Sequence, residues 1–384
     1  MSPDLTPSGR LRSLDVFRGA TIAGMMLVNN PGDWSHIYAP FRHAAWHGWT
    51  FTDTIFPFFL WIVGVAMTFS FAKRVERGEN TRTLSLHVVK RSAIIFGLGL
   101  FLTGIPFGLL FNHSFSFAAW RIPGVLQRIA VCYLIAGIVF LRTDWKQQAW
   151  IAAALLGLYW VAVLIIPVPG FGAGVLDPTG NLCWWIDSNL LAGHTWSGAP
   201  VPGFDPEGIF STIPAIATTL FGILTGHLLR SQQSETEKTS KMFVYGNLLL
   251  LVGLILDNWL PINKNLWTSS YTVFMAGLAM NVLGVCYWFI DVKGSTSWAK
   301  PFEIYGLNAV TVFFLAGLFG RLSWLIKVPG SGENPITLKT WYYGVFFEWI
   351  PDHMIGSLLH SLAWVAGLYL IAYLMYRRRW IIRV

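Results

Sequence analysis

Charged side chains are scarce in this sequence: Asp, Glu, Lys and Arg make up 12% of 384 residues, about half the ~25% of an ordinary soluble domain. That shortage excludes a soluble domain with a fully solvated surface. Cysteine is scarcer still. The three present, Cys132, Cys183 and Cys286, share no paired spacing, which argues against a disulfide framework or a cysteine-based metal knuckle. The start, "MSPDLTPSGRLRSLDVFRG", lacks a cleavable signal layout, because Asp15 and Arg18 interrupt the first apolar stretch and no small-residue cleavage site follows. No internal repeat is visible, which weakens the case for a transporter built from inverted halves. The longest connection, 168–209, carries Asp177, Asp187, Asp205 and Glu207 but no Lys or Arg.

What the chain has in quantity is apolar and aromatic side chains. Hydrophobic residues make up 54%, Phe, Trp and Tyr 16% with 20 Trp, and mean hydropathy is +0.53. A membrane-crossing helix needs about 20 mostly apolar residues, and such stretches recur along the chain. The expected fold is an all-α polytopic membrane protein forming one domain over 1–384. Its spans are predicted near 14–30, 52–72, 89–111, 123–141, 148–167, 210–230, 242–260, 268–290, 302–322 and 355–376, about ten in all. The apolar stretch 337–350 is too short to cross and reads as re-entrant or interfacial.

Lys and Arg stay on the cytoplasmic side of short loops. Here they collect around Arg10, Arg12 and Arg18, in the connections 73–91 and 230–241, and in the tail Arg377, Arg378, Arg379 and Arg383. This sorting predicts that both termini are cytoplasmic and that 31–51 and 168–209 are external. It also accounts for the net charge of +8, so nucleic acid is not an expected partner. The lipid bilayer is.

The segment "PFRHAAWHGWTFTDTIFPFFLWIVG" (40–64) then lies at the external mouth of the second span. His43 there is either a general base, the side chain best matched to proton transfer near neutral pH, or a headgroup-level histidine of an aromatic belt. Asp53, ten residues on, can orient an imidazole or cap its helix. His43 and His47 form HxxxH, but no third ligand of suitable spacing is near, so no metal is expected. Asn29, ending the first span, is a helix C-cap or a carbonyl-polarising amide. Arg128, with Gln127 beside it, sits inside the fourth span, where charge is costly and by default functional; the bland reading is a structural ion pair. Arg18 with Asp15 reads as a local salt bridge or an anion site. Asp205 and Glu207 precede the sixth span, where dipole capping is the plainer reading. Lys264, among Asn263, Trp267, Thr268 and Ser270, can bind an anion or snorkel. External Trp residues are anchors in the main, although beside carboxylates they also suit sugar rings.

The segments "RSLDVFRG", "RHAAWHGWTFTDTIFPFFLWIVG", "GVLQRIA", "DPEGIFSTIPAIAT", "LPINKNLWTSSY" and "GLNAVTVFF", in this order, resemble the heparan-α-glucosaminide N-acetyltransferase family and its bacterial homologues among the transmembrane acyltransferases. The likeness runs from about Arg10 to the last span. It implies a minimal bacterial form in the inner (plasma) membrane, without the extra luminal domain and preceding span of the lysosomal enzyme. It further implies acetyl transfer from cytosolic acetyl-CoA across the bilayer to the amine of an exoplasmic amino sugar such as a terminal glucosamine. The family's active-site histidine corresponds to His43 and its asparagine to Asn29. Arg18, Gln127 and Arg128 become candidates for holding CoA, and Asp205, Glu207, Asn263, Lys264 and Trp267 for the acceptor. His43 would act as general base or be acetylated first, and a homodimer is the implied assembly. The alternative from the residues themselves is a proton-coupled transporter or flippase of a sugar or glycan precursor, with His43 and Arg128 as coupling residues.

Overall fold

A computed structural model describes residues 11–108, 115–330 and 334–382. Arg10 and Arg383, two of the cations used for orientation, and the 109–111 end of the third expected span lie outside these residues. The described chain is helical throughout, apart from loops and one two-stranded hairpin, β1 Lys327–Val328 and β2 Ile336–Thr337. In order the helices are α1 Arg12–Asn29, α2 Phe51–Glu76, α3 Thr81–Gly104, α4 Val125–Arg142, α5 Trp145–Ile165, α6 Leu182–Leu190 and α7 Thr212–Arg230. There follow α8 Glu235–Leu256, α9 Ser269–Tyr287 with a π-turn extending it to Val292, α10 Lys300–Leu307, α11 Ala309–Leu325, α12 Leu338–Phe346 and α13 His353–Arg377.

Eight of these are long and apolar enough to cross a membrane, and a bent pair, α10 with α11, makes a ninth candidate. The stretch 302–322, expected as one straight span, is therefore broken, with an 80° bend. The break is at Asn308, whose backbone leaves the helical region and whose side chain bonds the C-terminal tail, donating to Trp380 O (3.0 Å) and accepting from Ile382 N (3.0 Å). α1, with Arg12, Asp15 and Arg18 in 18 residues, stands apart from these in composition, but it is packed within the bundle through Phe17, Ile22, Met25 and Met26. The segment 337–350 forms the nine-residue α12.

Several helices start or end beyond their apolar stretch. α3 begins at Thr81 because Asn80 Oδ1 caps Thr83 N at 2.8 Å, and α8 at Glu235 because Ser234 Oγ caps Glu237 N at 3.2 Å. Hydropathy finds the buried length; polar caps set the ends.

α2, α7 and α9 form the inner layer, with 78%, 67% and 61% of their apolar windows buried, against 22–28% for α3, α5, α8 and α13. α2 and α7 cross in backbone contact. A Cβ on Gly64 would lie 2.0 Å from Thr219 O, and one on Gly222 2.0 Å from Trp61 O, so only glycine permits this approach. Because α2 and α7 carry the helix starts nearest Asp53 and Glu207, their crossing fixes the distance between the two.

Candidate active site

Asp53 is the third residue of α2 and 1% exposed. Its Oδ2 accepts from Ala44 N (2.9 Å), Thr50 N (3.0 Å) and Thr50 Oγ1 (3.1 Å), and Oδ1 meets His43 Nδ1 at 2.5 Å. An ionised carboxylate only accepts, so Nδ1 carries the hydrogen and Nε2 is left with its lone pair. The His43 side chain is 49% exposed, and Nε2 has no hydrogen-bond partner among the described residues. A carboxylate on one ring nitrogen and access at the other is the arrangement of a general base. Asp53 thus does both jobs the spacing allowed: it ties the start of α2 and orients the imidazole.

The backbone at Asp53 is held from a different direction. Pro57 has no N–H, so in the helix the carbonyl of Asp53 loses its i→i−4 donor. The Tyr271 hydroxyl of α9 replaces it at 2.6 Å. An inner-layer helix is thereby bolted to the residue that orients His43.

The 261–268 loop closes the site from the other side. Gly48 N donates to Ile262 O at 2.7 Å, and Asn263 Nδ2 lies 3.3 Å from His47 Nδ1. Lys264 Nζ stands 3.4 Å from His43 Nδ1. Burial pushes the Lys264 amine below its usual range, although Glu207 and Asp53 pull the other way. Burial also lowers His47. The loop itself hangs on α5, where Tyr159 Oη donates to Leu266 O at 2.6 Å.

Asp205 and Glu207 do not cap α7; they lie several residues ahead of it and are clamped by Arg121. Arg121 grips Asp205 with Nε–Oδ2 2.9 Å and Nη2–Oδ1 2.7 Å, and reaches Glu207 Oε2 at 2.6 Å. Burial opposes ionisation of Glu207, but Arg121, Arg128 and Lys264 together hold its carboxyl below the ordinary range. Asp205 is fully buried. Arg121 was not singled out from sequence; the signal was an external arginine facing a loop that has acids and no cation of its own.

Arg128 lies in the first turn of α4, at the His43 end of the bundle, and is 2% exposed. Its Nη2 donates to Gly208 O (3.0 Å) and to Ser211 Oγ, and the guanidinium stacks 5.2 Å from the Trp267 ring. Among the described residues Nε and Nη1 are buried without partners, as is Gln127 Nε2. Trp267 is 1% exposed, with its Nε1 on Thr218 Oγ1 at 3.1 Å. It is a floor beneath Arg128 and offers no open face to a sugar ring.

Arg18 belongs elsewhere. It bonds Asp15 and donates to Gly306 O at 2.9 Å, near Arg12, Glu303 and Lys300. Along α1 it is 11 residues from Asn29, ~16 Å at 1.5 Å per residue. The structure does not bring Arg18 and Arg128 together, so one phosphate group is not shared between them. Asn29 is exposed at the end of α1, and its side chain makes no hydrogen bond among the described residues; its neighbour Asn30 is fixed by Met26 O at 2.9 Å. Among the described residues no group of three or more His, Cys, Asp or Glu could hold a metal ion.

Comparison with known proteins adds a family to this geometry. A model described as heparan-α-glucosaminide N-acetyltransferase, catalytic, matches residues 10–256. A human protein named heparan-α-glucosaminide N-acetyltransferase is 27% identical over an alignment covering 96% of this chain and 59% of its own length. The mouse protein of the same name is 26% identical, with 97% and 60% covered. The chain thus spans about 60% of the length of these curated relatives. His43, Asp53, Arg128 and Glu207 fall inside the matched segment; Asn263, Lys264 and Trp267 lie beyond it.

Proposed function

Since this chain belongs to the heparan-α-glucosaminide N-acetyltransferase family, we propose that it is a transmembrane acetyltransferase using acetyl-CoA. The observation that carries the reading is the His43–Asp53 pair, with Nε2 open, at the end of a bundle of membrane-crossing helices. The acceptor is the amine of an amino sugar such as a terminal glucosamine. The amine nitrogen attacks the thioester carbonyl while His43 Nε2 takes its proton. The tetrahedral adduct collapses, the C–S bond breaks, and the CoA thiolate recovers that proton from the imidazolium. General-base help of this kind contributes ~10²–10⁴-fold. Asn29, at the exposed end of α1, steadies the developing oxyanion.

The polar residues divide by level. Arg18, in the cation-rich end near Glu303 and Lys300, takes the CoA phosphates. Arg128 and Gln127, with buried donors that have no partner among the described residues, face the reacting end of the same molecule. Lys264, beside His43, and Glu207, whose charge reaches Lys264, are both exposed in part and orient the sugar. Ten crossings, counting α1 and the bent pair, put both termini on the cytoplasmic side and His43 outside a bacterial plasma membrane. The enzyme works as a homodimer in this reading.

The test is reconstitution in sealed vesicles with labelled acetyl-CoA on one face and glucosamine on the other. Labelled N-acetylglucosamine on the far side is the expected product. Sugar movement without acetylation would replace this reading with the transporter.

A further inference from the structure

Away from His43, a cavity of about 630 Å³ opens between α5 and α8, floored by α7 and α9. It exists because α8 leans on α9, where a Cβ on Gly277 would lie 2.6 Å from Gly246 O, leaving space on its α5 side. We propose that this groove holds one acyl chain of an anionic, hydroxyl-bearing phospholipid, as in a phosphatidylglycerol, with the headgroup at Lys241 and Gln233.

The apolar length runs along Phe221, Leu224, Leu228, Leu249 and Met280 as far as Trp61 of α2. Its volume lies within the ~300–1,000 Å³ usual for small-molecule sites. Tyr245 and Leu248 on its rim are 47% and 53% exposed, so the groove opens sideways, into hydrocarbon where the helices cross the bilayer. Lipid chains are what such an opening meets.

The other end of the groove names the headgroup. Ser231, Gln233 and Lys241 lie past the C-terminus of α7 or at the start of α8. The N-terminus of α7 touches Arg128 through Ser211, so this mouth is at the opposite end of the bundle from His43. Trp145, 56% exposed with Lys146 Nζ 5.7 Å from its ring, is an interface-level anchor there. Lys241 offers a cation; its ion pair with Glu237, at 2.8 Å, is exposed and so weakly held. Gln233 Oε1 is buried without a partner among the described residues and requires a donor. A phosphate satisfies the first and a headgroup hydroxyl the second. A choline headgroup supplies no donor.

Binding of phosphatidylglycerol and phosphatidylcholine to delipidated protein, followed by native mass spectrometry, tests this without any activity assay. Wild type should hold one phosphatidylglycerol about fivefold more tightly than phosphatidylcholine, the worth of one lysine near an anionic lipid. Lys241→Ala, at a partly exposed position, should narrow that preference, leaving only the share from Gln233, while still binding one chain. Leu249→Trp, which fills the groove, should abolish retention of either lipid, with the helical circular dichroism of wild type as its control. Equal affinities in wild type, an undiminished preference in Lys241→Ala, or displacement of the lipid by free CoA would each overturn the assignment, the last by giving the groove to the acetyl donor.

Discussion

His43 and His360 stand at the same end of the bundle, in surroundings that make them different chemical objects. The ring of His360, on α13, is 1% exposed. Its Nδ1 lies 3.0 Å from Asn30 O and its Nε2 2.8 Å from Tyr342 Oη, with the Tyr342 ring stacked 5.1 Å away. Both nitrogens are engaged by neutral groups, and Trp364 Nε1 donates to the same Tyr342 oxygen at 2.7 Å. His43 has one nitrogen on a carboxylate, the other without a partner among the described residues, and half its side chain in the open. A histidine becomes a base when one nitrogen is charge-oriented and the other reachable. His360 instead pins the end of α1 to α13, and Ser361 Oγ adds a second bond to Asn30 O at 3.1 Å.

The largest expected effect breaks the comparison at its active member. His43→Ala should lose acetyl transfer by ~10²–10⁴-fold and still bind CoA, as read by product formation and titration calorimetry on purified protein. His47→Ala, at a ring that meets Asn263, should be far milder. Full activity in His43→Ala would reduce the exposed histidine to a belt residue.

Next in size is the support behind the dyad. Tyr271→Phe leaves the Asp53 carbonyl with neither a hydroxyl nor, because of Pro57, an amide donor. An unsatisfied buried carbonyl costs ~1–3 kcal/mol, and the motion that relieves it shifts Asp53, so kcat should fall about tenfold, the equivalent of ~1.4 kcal/mol of that cost. Adding Pro57→Ala restores the backbone donor and should recover much of the loss. Independent, additive losses in the double variant would show that the two residues do not share that carbonyl.

His360→Phe sharpens the contrast from the quiet side. Removing both nitrogens strands Asn30 O and Tyr342 Oη in part, so melting in detergent should occur several degrees lower. The change in kcat should be within about threefold, far below the general-base effect at His43. A His360 variant as inactive as His43→Ala would make α13 part of the chemistry.

Much of this was legible in the sequence where physical chemistry is local. Asp53 reads as a helix-start acid ten residues from His43, and Lys264 reads as lying in a short loop between two spans. What was hidden is pairing between distant segments. Arg121 finds its acids 84 and 86 residues away, and Tyr271 finds its carbonyl at a distance of 218; no periodicity encodes either. Trp267 illustrates the reverse. In sequence it is one external Trp among 20, whereas its positive φ of 52° and its bond to Thr218 turn it inward beneath Arg128. The bend at Asn308 was equally hidden, since a one-residue interruption barely alters the hydropathy of 302–322.

The smallest expected effect concerns a third group at this end, one that resembles His360 in burial and His43 in keeping an atom without a partner among the described residues. Asp187, on the short α6, has Oδ1 on Ile209 N at 3.0 Å and Oδ2 buried with no partner among the described residues. Burial pushes its carboxyl from 3.8 up to about 7, although the Ile209 amide pulls the other way. A carboxyl raised on folding binds its proton more tightly in the native state, so the native state loses stability as pH rises through the window from about 4 to 7 and carries the whole penalty above it. Asp187→Asn keeps an acceptor for Ile209 and has no charge to bury. It should melt a few degrees above wild type at pH 8, and this advantage should shrink steadily toward pH 4. The comparison needs only fluorescence melting of the two proteins at matched ionic strength. A difference independent of pH would mean that the side chain matters for packing alone, and a variant less stable at pH 8 would mean that the charge is held by Arg128, whose field also reaches this carboxyl.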